Sequence, residues 1–168
     1  MRSKFAALAA VAAFMLVALA ASAAAKPNFS GTWVLDATKS ECGQRGCNAE
    51  TMTVKQDGDK LTVERKTTGP QGGENTSTDT YTADGKEGDF TMNMMRNEVK
   101  GKRTSKWSAD GKALEVHDKA SLDTPNGAMT IDSTSTWTLS DDGKTLTIEG
   151  TRTTPRGDQK FKRVFNKQ

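Results

Sequence analysis

From residue 29 onward, apolar and polar side chains alternate at period two. Asp-Gly dipeptides break the alternation at Asp57-Gly58, Asp84-Gly85, Asp110-Gly111 and Asp142-Gly143. Period two sends successive side chains to opposite faces of a strand. Asp-Gly suits tight hairpins because both residues tolerate positive φ. Further turn chemistry stands at 69–73, 123–127 and 155–158. The pattern predicts ten strands, at 29–36, 51–56, 60–68, 74–82, 88–95, 98–108, 113–121, 128–140, 145–154 and 159–166. A helical turn is expected near Ala37–Ser40, in the one long connection. Short strands joined by hairpins leave two free sheet edges, and closure removes them. The expected fold is all-β: an antiparallel up-and-down meander of about 8–10 strands closing into a barrel. A two-sheet sandwich is the competitor.

An internal repeat supports one continuous run of hairpins. Thr51 to Glu64 is echoed by Thr136 to Glu149, and the echo continues from Thr68, Pro70 and Gly72 to Thr153, Pro155 and Gly157. No period suits a solenoid or propeller.

Residues 1–25 read as a cleavable signal peptide. Arg2 and Lys4 precede an apolar, alanine-rich run that ends in small residues. Cleavage is expected after Ala25, with Ala23 as the alternative. An uncleaved leader would be a membrane anchor, since about 20 apolar residues span a bilayer. The expected location is therefore the periplasm or outside the cell. Residues 26–168 form one domain. The precursor has 24 basic and 21 acidic side chains. Losing Arg2 and Lys4 brings them almost to balance. Neither a basic run nor aromatic-basic interleaving points to nucleic acid. Cys42 and Cys47 are the two cysteines. In an oxidising compartment they read as a structural disulfide.

Strand parity separates the faces. The inward set includes Phe29, Gly31, Trp33, Leu35, Met52, Val54, Leu61, Val63, Phe90, Met92, Met94, Val99, Trp107, Leu114, Val116, Met129, Ile131, Trp137, Leu146, Ile148, Phe161 and Phe165. The same parity carries Arg65, Arg103, Asp118, Ser133, Arg152 and Arg163 inward. A buried arginine without a partner is costly. Two readings follow. In one, Arg65, Arg103, Arg152, Met92, Met94, Trp107 and Ile131 line an amphipathic ligand pocket, in which an anionic head group meets an arginine. In the other, the arginines stand in solvent at the rim or pair with Asp118 and Asp79.

His117, the single histidine, points outward by parity. No catalytic set or metal-ligand spacing is visible. The expectation is no enzyme, no cofactor and no metal.

Asn28-Phe29-Ser30-Gly31-Thr32-Trp33, after a leader, resembles the opening of small secreted bacterial lipocalin-like proteins. The resemblance implies a calycin-type barrel that binds small molecules. In such a barrel Gly31-x-Trp33 closes one end, with Arg163 expected as the basic partner of Trp33. The second lipocalin motif and the C-terminal helix are missing. Ten strands are nearer to the fatty-acid-binding proteins, whose C-terminal Arg-x-Tyr would fall on Arg163-Val164-Phe165. The expected role is an exported, non-enzymatic barrel for a small apolar or amphipathic molecule. An envelope protein-interaction module is the alternative, and the oligomeric state is open.

Overall fold

The computed structural model describes residues 26–43, 46–69, 72–94, 97–124, 127–155 and 157–168. The side chains of Met94 and Thr124 are not among those described. The predicted leader and its cleavage sites lie outside the described residues. So do Pro70-Gln71, Pro125-Asn126 and Arg156 of the predicted turns, and Met95 of the fifth predicted strand.

Ten antiparallel strands follow one another: β1 (Gly31–Leu35), β2 (Ala49–Asp57), β3 (Lys60–Thr68), β4 (Glu74–Thr82), β5 (Asp84–Met94), β6 (Asn97–Trp107), β7 (Ala113–Thr124), β8 (Gly127–Leu139), β9 (Thr145–Thr154) and β10 (Gly157–Lys167). They form one sheet in the order β4-β3-β2-β1-β10-β9-β8-β7-β6-β5. The first and last strands pair through Trp33↔Lys167 and Leu35↔Phe165. The sheet curls into a nearly closed barrel with a seam between β4 and β5, its two free edges.

The segment 36–41 is a hydrogen-bonded turn and not a helix, with the Lys39 N–H donating to the Asp36 carbonyl. It lies against β10, where Glu41 bridges to Lys162 and Ser40 Oγ accepts from the Val164 N–H. That cover explains why Val164 is buried although its parity points outward. Beyond it, the disulfide Cys42–Cys47 closes a short loop, worth about 2 kcal/mol on the loop-closure model.

Three of the four Asp-Gly dipeptides make hairpins, joining β2 to β3, β6 to β7 and β8 to β9. The last two share one construction. Asp110 and Asp142 accept from the hydroxyls of Ser108 and Ser140, both at 2.6 Å, and from the N–H groups of Lys112 and Lys144. The fourth dipeptide departs from expectation. Asp84-Gly85 opens β5 with a bulge between Asp84 and Glu87, and β5 does not pair with β4. Side chains stacked between the two strands, described below, occupy the seam.

Up-and-down connectivity puts the three hairpins, the 82–84 connection, the start of β1 and the end of β10 at one end of the barrel, the base. Phe29 stacks on Trp107 with centroids 6.0 Å apart and meets Trp137 edge-on at 6.1 Å. The Trp107 Nε1–H donates to Asp59 at 2.8 Å, and the Trp33 Nε1–H donates to the Phe29 carbonyl at 2.9 Å. Buried Met52, Leu61, Leu114, Leu146 and Phe165 complete this plug. Gly31 has φ 141°, and a Cβ there would sit 2.7 Å from the Lys167 side chain. Lys167 passes over Gly31 to place its ammonium 5.1 Å from the Trp33 ring centroid. Only glycine leaves that path open.

The serine hydroxyls, followed by the backbone N–H groups, hold the Asp110 and Asp142 carboxyls below the usual carboxylate range. Their folded values lie below their unfolded ones. The stability they add is therefore complete above about pH 5 and is lost as the pH falls further. Denaturant midpoints should drop between about pH 5 and pH 2. The drop should be shallower in the Asp110→Asn, Asp142→Asn double variant; an equal drop counts against this role.

Candidate functional site

Above the base, six inward side chains from six strands form a continuous alternation of charge: Arg163 (β10), Glu50 (β2), Arg65 (β3), Asp79 (β4), Arg103 (β6) and Asp118 (β7). Arg163 is ion-paired with Glu50, whose side chain is 1% exposed. The Arg65 Nε lies 3.6 Å from Glu50, and its Nη1 lies 3.1 Å from Asp79. The Arg103 Nη1 lies 3.1 Å from the other Asp79 oxygen. Arg103 also grips Asp118 with two parallel bonds, Nε to Oδ1 at 2.7 Å and Nη2 to Oδ2 at 2.8 Å. Three arginines face three carboxylates, so the layer is formally neutral. Charge-assisted and bidentate bonds of this kind are the strong ones.

Arg103 crosses the seam. From β6 it reaches the Thr80 carbonyl and Asp79 of β4. Gly88, its register partner on β5, has no side chain to obstruct the path. The guanidinium is sandwiched between the rings of Tyr81, 4.0 Å from its Cζ, and Phe90, 4.3 Å away. Burial alone would lower its pKa, but the hydrogen bonds to Asp118 and the nearby carboxylates more than offset this and raise it. The charge on Arg103 is therefore permanent. The hydroxyl of Tyr81 accepts from Arg65 at 3.1 Å.

Beyond this layer the two walls of the barrel differ. On β5 to β8, buried Val99 and Ala120 are packed by half-buried Phe90, Met92, Leu122, Met129 and Ile131. Gly101 makes this wall close-fitting: a Cβ there would sit 2.5 Å from the Phe90 ring. On β3 and β4 the corresponding inward positions are Thr67, Asn75 and Ser77. From Arg103 and Asp118 of the ionic layer a register row continues to Ser133, Arg152 and Gln159, next to the apolar wall.

The predicted site residues thus divide. Met92 and Ile131 share the apolar wall. The side chain of Met94 lies outside those described. Trp107 does not join them: it belongs to the base plug, stacked on Phe29. Arg65 and Arg103 converge, but on carboxylates. Arg152 is exposed at the open end and, among the described residues, has no ion pair. Arg163 does not reach Trp33, because Glu50 holds it; Lys167 is the cation over Trp33. Glu50 and Tyr81 were missed. Extending the parity of Met52 by two residues finds Glu50, and extending that of Asp79 finds Tyr81. His117 points outward as expected and pairs with Asp132 at 2.7 Å.

An outer depression of about 280 Å³ lies among β6 to β9, with Thr104, Lys106, His117, Thr136 and Glu149 in its lining. It lies on the opposite face of the sheet from the open end. Lys106 is paired there with Glu115 at 3.3 Å. Among the described residues no group of three or more His, Cys, Asp or Glu side chains could hold a metal ion.

Asp79 serves two arginines. Its removal should leave buried positive charge uncompensated and cost about 3–5 kcal/mol. Urea unfolding of Asp79→Ala checks this, and a loss near zero would contradict the role of Asp79 at the seam.

No protein-family model matches the chain, and no curated protein matches it. Among solved structures, it is similar to the crystal structure of zebrafish ileal bile acid-binding protein complexed with cholic acid. The two share 17% identity at a TM-score of 0.52, over 83% of this chain and 98% of the other. At that identity the likeness establishes the fold alone, a nearly closed antiparallel β-barrel.

Proposed function

We propose that this protein is an exported barrel that binds a small apolar or amphipathic molecule in its open end and performs no chemistry on it. The observation that carries the reading is the half-buried apolar wall of Phe90, Met92, Leu122, Met129 and Ile131, set inside a barrel and next to a polar row. In a small exported domain, apolar side chains of this size gain most by full burial, about 1.5–3 kcal/mol each. Leaving five of them half-open supplies a surface on which a ligand can complete that burial. The zebrafish neighbour holds cholic acid, an amphipathic molecule, and this supports the reading. The disulfide accords with export to an oxidising compartment.

The apolar part of the ligand lies against the β5–β8 wall, and its polar end meets Asp118, Ser133 and Arg152. The ionic layer forms the floor. The plug below it, built around Phe29, Trp33 and Trp137, is filled by side chains.

An environment-sensitive apolar probe should bind the purified protein with micromolar affinity and one-to-one stoichiometry. Ile131→Asp puts a charge on the wall and should weaken the probe at least tenfold, about 1.4 kcal/mol. Thr134→Asp, on the outer face, should leave it unchanged. Absence of probe binding to the wild type would overturn the reading and favour the protein-interaction module.

A further inference from the structure

Resting on the proposed ligand site, we infer that the preferred ligand carries a polar head with no net charge, hydroxylated or zwitterionic, and that the barrel discriminates against simple fatty carboxylates.

The reason is that the positive charge inside is already consumed. A carboxylate held in a desolvated site needs a counter-charge of its own. Arg103, the arginine nearest the apolar wall, presents its Nε–Nη2 edge to Asp118 at 2.7 and 2.8 Å and its Nη1 to Asp79. Arg65 is shared between Glu50 and Asp79, and Arg163 is held by Glu50. To reach any of them a fatty carboxylate would displace a carboxylate already in place. It would also meet Asp118, whose side chain is 24% exposed, directly below the apolar wall. Like charges at that distance repel. Arg152 does not reverse the sign. It stands exposed at the rim, where water weakens an ion pair.

A net-neutral head fits the same row well. Asp118, Ser133 and Arg152 stand side by side on β7, β8 and β9. Acid, hydroxyl and base occupy neighbouring strands about 5 Å apart. A diol or glycerol head can donate to Asp118 and accept from Arg152. A zwitterion can set its ammonium by Asp118 and leave its anion in the water at the rim.

The test uses three ligands with one common chain: dodecanoate, 1-dodecanoylglycerol and dodecylphosphocholine. Each is titrated calorimetrically below its micelle concentration, at a pH where dodecanoate is ionised, into delipidated full-length mature protein. At least one of the two net-neutral amphiphiles should bind at least tenfold more tightly than dodecanoate. Which of them does so separates a hydroxylated from a zwitterionic head. Asp118→Asn should then tighten dodecanoate at least tenfold, because it releases the Arg103 edge. Ser133→Lys, which adds a cation beside Asp118 and leaves the six residues of the ionic layer unsubstituted, should also tighten dodecanoate.

Wild-type protein that binds dodecanoate as tightly as the neutral pair would overturn the inference while leaving the ligand site intact. Both variants failing to move the ratio would overturn it as well. If none of the three amphiphiles binds, the ligand site itself falls, and the head-group preference with it.

Discussion

The alternation of three arginines with three carboxylates inside the barrel is the constraint on which the rest of the structure depends. Six strands contribute one member each, and Glu50 and Asp79 each serve two arginines. Taking ions out of water costs several kcal/mol apiece unless every charge is matched. The match here is complete in sign and number. Losing any one member leaves a neighbour uncompensated, so the layer behaves as a unit. It does what no backbone ladder does in this fold: it joins β4 to β6 across the seam, through Arg103.

That layer divides the barrel into two regions of different chemistry. Below it the three tryptophans, Phe29 and Phe165 pack with Met52, Leu61 and Leu146 into a closed base. Trp33 is fixed there by its bond to the Phe29 carbonyl and by Lys167 passing over Gly31. Above it the apolar side chains of β5 to β8 stay half-buried. A neutral floor under an apolar wall is the arrangement expected of a site that receives apolar surface without calling for an anion.

The strand pattern was legible from period two and turn chemistry alone, because a half-buried strand leaves no other parity for its apolar residues. The inward set was read in the same way, and the disulfide from two cysteines in an expected oxidising compartment. The interior chemistry was legible only in part. Parity brought Arg65, Arg103 and Asp118 inward and named Asp79 as a partner, but it stopped β2 at Thr51 and so lost Glu50, the carboxylate shared by Arg65 and Arg163. Trp107 shares a face with the apolar wall by parity, yet it sits below the ionic layer, and height along the barrel is set by register. Register also decides that Lys167, not Arg163, meets Trp33. Asp84-Gly85 carries a hairpin signal that is purely local; the stack of Phe90, Arg103 and Tyr81 overrides it by holding β5 away from β4.

The central claim, a ligand site above an unbroken ionic floor, is tested most directly by methyl NMR during titration with a neutral dodecyl amphiphile. The methyls of Met92, Leu122, Met129 and Ile131 should shift saturably and together. Those of Leu61, Leu114 and Leu146 in the base should stay in place, as should those of Thr104 and Thr136 at the outer depression. Shifts confined to the base or to the outer face, with the β5–β8 wall unmoved, would contradict it.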